Sequence, residues 1–591
     1  MFVRRWATSV LLAAMILWPR LAHGQVPEDV ENDGGEAAAS TADDRFFSTG
    51  SDQDKGPEVR GSLAVSTFVY GEAGGALTGG GLSVKESSGA SELVRAYGDI
   101  RGRIDAQRFA GPGWNAHADF RARATGDTLG LYDEDRRDQR EKLAGYEVRT
   151  QSGTFGGTEL ELRELYVAHE GERWTLGLGR QIAPDLAATR FDGAQVVYHP
   201  SARWRAIVFG GLYPSRISRS LADDYPLAAP DPTVDTNDIL DGIQLGDPGP
   251  RIFPITGGVG LGYELDKIYG AVGAVAIAPL ADDYQGDAMG GTEAARVFVT
   301  ANGYYRPNDK LDLFHYVIVD AAGAAGARVS NASLMAAYKP TADWRVTGMV
   351  NHVDTVTLNV LAQTQLEEAV PPDGEIDAMG KTLAVIQNNA VVTRIAQDEA
   401  RLSVSRALAQ KRFEISAIGA LRRRPEIEVA LVNGGTYVFP AAQAADATVR
   451  FVDRRSFWST RLAASATAIF GIGENLNRTT AAIGRVDMLR DFSGGKGELD
   501  VNLSYIHSRG GDRGENAGCT LEDLNGCYSS VIAHTGQLGA TVFYRIADAW
   551  FVLGGASFGI QKITTDYGAG KVTGRSPIFM VTAFSRLAYR F

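Results

Sequence analysis

The chain has 591 residues, 44% of them hydrophobic, and a formal net charge of −12, a balance that disfavours nucleic acid as a partner. Glycine supplies 69 residues, about 12% against a usual ~7%, with only 21 prolines and no G-X-Y period, so collagen and low-complexity disorder are excluded. A glycine-rich chain dense in turns and aromatics points instead to many short strands.

Residues 1–24 carry a basic start (Arg4, Arg5), an apolar run from Val10 to Trp18, and small residues at Ala22 and Gly24. This is the pattern of a secretory signal cleaved after Gly24, and the apolar run is too short to span a bilayer. Residues 25–56 gather nine acids, from Glu28 to Asp54, against Arg45 and Lys55. Such a segment buries too little apolar area to offset its ordering entropy, so it reads as a disordered periplasmic leader.

From residue 57 the period is two. In Val94–Asp105 and Trp114–Ala124, polar Arg95, Asp99, Arg101, Arg103, Asp119, Arg121 and Arg123 alternate with Val94, Ile100, Ile104, Phe120 and small residues. Leu499, Val501, Leu503 and Tyr505 alternate in the same way with Glu498, Asp500, Asn502 and Ser504. Alternation alone also suits a soluble sandwich; the connections discriminate. Short turns fall at Ala110–Pro112, Glu170–Glu172, His199–Ala202, Asp266–Lys267, Pro307–Asp309, Lys339–Asp343, Ala409–Lys411, Asp453–Arg455, Phe492–Gly495 and Ala547–Asp548. Mostly longer connections lie between them. Alternating short and long links predict an up-and-down transmembrane β-barrel of the bacterial outer membrane, spanning residues 57–591 with 22 strands, within a range of 18 to 24.

Tryptophan placement agrees. Outside the signal segment, Trp114, Trp174, Trp204, Trp344, Trp458 and Trp550 are each expected to open a strand just after a short turn. Tyr198, Tyr263, Tyr305, Tyr338 and Tyr544 close strands just before one, which describes an aromatic girdle at the periplasmic interface. In the last strand Phe579, Val581, Ala583, Leu587, Tyr589 and Phe591 share one face. That strand resembles the C-terminal strand by which Gram-negative barrels are recognised by their assembly machinery, which the resemblance makes a partner.

Arg163-Glu164-Leu165-Tyr166-Val167, Gly177-Leu178-Gly179-Arg180-Gln181 and Arg190-Phe191-Asp192-Gly193 resemble, over about forty residues, porin-type barrels of the alginate-export and anion-porin kinds. The resemblance implies that Arg180 and Arg190 face a channel or fold in with the Ile182–Phe191 loop.

The inward faces collect charges of both signs, and Arg95, Asp99, Arg101, Arg103, Asp119, Arg121, Arg123, Glu161, Arg163 and Arg180 are expected to line a pore. Cross-strand ion pairing that stiffens a water-filled wall is the simpler account of these charges, and both roles can hold for the same residues. Cys519 and Cys527 lie in one long connection of an exported chain, which predicts a disulfide. No His/Cys/Asp/Glu spacing nominates a metal site, a cofactor or a catalytic set, so no enzyme is expected. The connections Gly126–Gly157, Pro214–Pro254 and Ala362–Asn389 are long enough for at least one to fold inward and narrow a wide lumen. Two functions fit: a channel for hydrophilic solutes, or a structural barrel that docks envelope protein partners in a motility, adhesion or secretion complex. In either case outer-membrane lipid and lipopolysaccharide surround it.

Overall fold

A computed structural model describes residues 56–74, 77–78, 91–126, 159–214, 221, 224–225, 253–278, 296–322, 327–354, 396–430, 436–439, 441–472, 480–510, 530–566 and 572–591. The expected signal segment, the acidic leader up to residue 55, and both cysteines lie outside the described residues. So do the three connections expected to fold inward, apart from Gly126, Pro214, Leu221, Asp224, Tyr225, Phe253 and Pro254.

Twenty-two strands form one closed antiparallel barrel, as the turn count predicts. They are β1 (Glu58–Gly74), β2 (Ser91–Gln107), β3 (Trp114–Gly126), β4 (Glu159–Glu170), β5 (Trp174–Ala183), β6 (Thr189–Ser201) and β7 (Trp204–Leu212). Next come β8 (Ile255–Leu265), β9 (Ile268–Ala278), β10 (Arg296–Asn308), β11 (Leu311–Ala322), β12 (Arg328–Thr341), β13 (Trp344–Asp354) and β14 (Ala396–Leu408). The ring is completed by β15 (Phe413–Arg424), β16 (Ala442–Asp453), β17 (Arg461–Ile472), β18 (Thr480–Phe492), β19 (Gly497–Gly510), β20 (Ser530–Arg545), β21 (Trp550–Asp566) and β22 (Ile578–Arg590). Each strand pairs with its sequence neighbours, and β22 returns to β1 with Ser62 opposite Arg590 and Gly74 opposite Ile578. Gly61 and Phe591 exchange backbone hydrogen bonds of 3.0 and 3.1 Å, so the closure leaves no sheet edge.

The two faces separate as the period-two pattern requires. Ile100, Ile104, Leu503, Tyr505, Leu538, Phe558 and Ile560 are exposed on the outer surface, while Asn115, Asp119, Asp500 and Asn502 are buried on the inner face. All ten predicted short turns join consecutive strands at one end of the barrel. At that end Trp174 packs on Tyr198 (ring centroids 4.2 Å apart), Trp204 on Tyr263 (4.6 Å) and Trp550 on Tyr589 (4.7 Å). Five of the six tryptophans open strands. Trp458 is the exception: it sits in a 3-10 turn, Phe457–Ser459, ahead of β17, with a left-handed φ of 53°.

A bulge interrupts the plain alternation in β4. Asp119 faces Glu164 but Phe120 faces Leu162, so Arg163 is an extra residue without an opposite partner. Leu160 is exposed on one side of it and Leu165 and Val167 on the other. The extra residue changes the parity of the strand and brings Glu161 and Glu164 to the same inner face.

Candidate functional site

On β2, β3 and β4 the inner face forms a ladder of opposite charges. Register sets Arg103 opposite Asp119, Arg101 opposite Arg121 and Asp99 opposite Arg123. Arg101 Nη2 donates to Asp119 at 2.9 Å, and Arg103 Nε donates to Asp105 at 3.2 Å. Glu161 is shared by Arg121 (3.4 Å) and Arg163 (3.0 Å). Arg123 lies over the Tyr97 ring at 4.3 Å. Arg95 is on the same strand, opposite Tyr70. His117, buried between strands, holds Asp105 through Nδ1 at 2.5 Å, and its Nε2 is 3.2 Å from Glu164. It ties three strands together, a role its isolated position in sequence does not announce.

The pairs are layered. Side chains of Arg101, Arg103 and Arg163 are 42%, 41% and 40% exposed, whereas Asp119, Asp105 and Glu161 are 10%, 21% and 13% exposed. Arg422 on β15 repeats this, 42% exposed above Asp446 at 11%. In these four pairs the long guanidinium side chain reaches past the carboxylate that it pairs with, toward the lumen, whereas Arg121, with its side chain 16% exposed, and buried Arg123 lie as deep as the acids.

Arg180 has a different setting. The pairing of β5 with β4 ends at Arg180, opposite Leu165, and that of β6 with β7 ends at Asp192, opposite Leu212. Beyond these two residues the hairpin tip pairs with no flanking strand among the described residues. The departure is made at glycines. Gly179 has φ +125°, and a Cβ there would be 2.3 Å from the Leu165 carbonyl oxygen. A Cβ on Gly193 would be 2.0 Å from the Gly210 oxygen. Only residues without a side chain pass here. Arg180, 6% exposed, clamps Asp192 and Asp224 at 2.5 Å each, and Arg190 approaches Asp224 at 3.7 Å. Tyr225 donates to Asp192 at 2.5 Å, and burial beside that carboxylate pushes its phenol well above the usual tyrosine range.

The tip itself lies inside the barrel. Leu186 is fully buried, against Gly260 and Gly273, where an added Cβ would meet its Cδ2 at 2.7 and 2.1 Å. Phe191 stacks on Phe209 with centroids 4.4 Å apart. Together with Ala183 they cover Ile207, Val275, Ile277 and Phe298, apolar residues on the inner face of β7, β9 and β10. Asp185, at the turn, accepts hydrogen bonds from Arg205 (2.8 Å) and from the Tyr269 hydroxyl, while its backbone oxygen accepts from Asn302 at 3.2 Å. The inner apolar patch escapes a reading that assigns one apolar face per strand. Its signal was present in consecutive apolar residues, Ile207-Val208-Phe209 and Val297-Phe298-Val299, where alternation fails.

No protein-family model and no curated protein sequence matches the chain. Among solved structures, Pseudomonas aeruginosa OpdK with vanillate aligns with 90% of this chain and 99% of that one, at 8% identity and a TM-score of 0.34. Acinetobacter baumannii OccAB4 aligns with 90% and 98%, at 8% identity and 0.33. A loop L8 deletion mutant of Vibrio cholerae OmpT, an outer membrane protein, aligns with 57% and 98%, at 14% identity and 0.25. The closed ring, the outer apolar surface and the girdle make this chain a transmembrane β-barrel of the bacterial outer membrane.

Proposed function

We propose that the protein is a channel by which hydrophilic solutes, anions in preference, cross the outer membrane. The observation that carries this reading is the layering of four inner-wall pairs, Arg101–Asp119, Arg103–Asp105, Arg163–Glu161 and Arg422–Asp446, each with its guanidinium toward the lumen and its carboxylate behind. Arg95, Asp99, Arg101, Arg103, Asp119, Arg121, Arg123, Glu161 and Arg163 form the pore lining, and Arg180 anchors the bent hairpin beside it. A barrel of this strand number is too wide to be selective when empty. The Pro184–Ala188 tip narrows it, with Leu186 and Asp185 holding the tip against the wall. Residues 1–24 direct export, and residues 25–56 form a periplasmic leader ahead of the barrel.

Purified full-length protein in planar bilayers tests this. Discrete conductance steps are expected, with a reversal potential that favours anions under a salt gradient. Arg101→Glu together with Arg422→Glu shifts that potential toward cations. A folded barrel that never conducts, or a selectivity indifferent to both substitutions, refutes the proposal.

A further inference from the structure

Outside the barrel, on the face opposite the lumen, β19, β20 and β21 carry a cluster that a lipid-facing wall does not ordinarily bear. On β19 the outward residues are Leu503, Tyr505, His507 and Arg509; on β20 they include His534, Gly536 and Leu538; on β21, Phe558, Ile560 and Lys562. Register sets His507 directly opposite His534, and His534 opposite Lys562. The two imidazoles lie 4.6 Å apart between centroids. The Tyr505 hydroxyl is 2.8 Å from His534 Nδ1, which fixes that ring. His507 Nδ1 is buried and has no hydrogen-bond partner. Among the described residues no carboxylate pairs with Lys562 or Arg509.

The height of the cluster is fixed by the girdle. Strands tilted by ~40° climb about 2.6 Å per residue, so an apolar band of about 25 Å is crossed in about ten residues. His534 precedes Tyr544 by about ten residues, and Lys562 follows Trp550 by about twelve, both measured from the inner girdle. His507, His534 and Lys562 therefore stand at the outer headgroup level, next to exposed Ile560 and Tyr505 rather than in the middle of the band.

We propose that His507, His534 and Lys562 form a binding site for a phosphate monoester on the headgroup of an outer-leaflet glycolipid, with Arg509 at its rim. A cation facing lipid is costly, and the outer headgroup layer supplies anions that offset that cost. Imidazole and ammonium groups from three adjacent strands give donors that converge on phosphate oxygens, while Tyr505, Leu538 and Ile560 below provide a surface for the acyl chains.

The test is native mass spectrometry of the detergent-solubilised, folded full-length protein, titrated with bis-phosphorylated lipid A, with dephosphorylated lipid A and with inorganic phosphate. The expected result is retention of the phosphorylated lipid, and its loss by about tenfold or more in Lys562→Gln combined with His534→Gln, as for removal of charge-assisted hydrogen bonds. Heat-modifiability identifies a variant that has kept its barrel; if the double variant does not fold, Lys562→Gln alone carries the comparison. Equal retention of phosphorylated and dephosphorylated lipid overturns the phosphate assignment. Protein that takes up inorganic phosphate as readily as the lipid overturns the lipid source. Variant retention equal to the parent overturns the site. None of these outcomes depends on conductance, so the site stands or falls separately from the channel.

Discussion

Loosening the β5–β6 tip is the most direct perturbation of the proposed pore. Leu186 is fully buried against Gly260 and Gly273, so Leu186→Ala removes its apolar contact with the wall and leaves only those of Phe191 and Ala183. Burial of a leucine side chain contributes about 1.5–3 kcal/mol. At about 2 kcal/mol, the ratio of docked to undocked tip falls about thirtyfold. Adding Asp185→Ala removes its side-chain bonds to Arg205 and Tyr269, for a further loss of about 2 kcal/mol and a combined effect of about a thousandfold. Arg205 keeps Glu264 as a partner at 3.1 Å, so it is not stranded. The barrel wall is untouched, and heat-modifiability is expected to stay at the parent level. Single-channel recording should then show a larger open conductance with rapid flicker as the tip leaves and returns. A correctly folded double variant with parental conductance and parental noise would show that this hairpin does not set the width of the path.

Three further outcomes are expected. Leu503→Arg, on the lipid face near mid-height, should destabilise the barrel by roughly 2–4 kcal/mol in chemical unfolding, whereas Ser504→Arg, on the inner face next to it, should cost far less; equal losses would invert the face assignment. Gly179→Val, at φ +125°, should cost about 1–3 kcal/mol in strain and reduce folded yield, and an unchanged yield would mean that the hairpin does not bend there. Cys519 and Cys527 should resist thiol labelling in denatured, unreduced protein; two labelled thiols would exclude the bridge.

The wall was legible because its determinants are local. A side-chain period of two, ten short turns and tryptophans placed beside them specify strand number and membrane face without any knowledge of which strand touches which. The tip was less legible. The sequence resemblance around Arg180 admits an inward loop at Ile182–Phe191, yet length favoured the three longer connections. Direction is decided by the positive φ of Gly179, by the contact of Gly193 with Gly211, and by an inner apolar patch that becomes continuous only once β7, β9 and β10 are aligned. The bulge at Arg163 is similar: its consequence appears only when Asp119 and Phe120 are matched to their partners. Asn502 alternates as a lumen residue in sequence but is buried beside Gly539, which makes Ser504 the better inner control.

The seam between β1 and β22 bears on how such a wall can be made at all. Every other junction links consecutive strands, so each hairpin can begin to pair while its own residues are close along the chain. The seam joins Ser62 to Arg590 and can zip only after the other twenty-one junctions have brought these strands side by side. Until then two rows of backbone donors and acceptors stand open, each group costing several kcal/mol in hydrocarbon. Insertion and closure therefore have to proceed together. Once Gly61 and Phe591 have met, removal of any one strand means breaking two full ladders at once, so the finished ring resists dissociation by the height of that barrier rather than by the sum of its side-chain contacts.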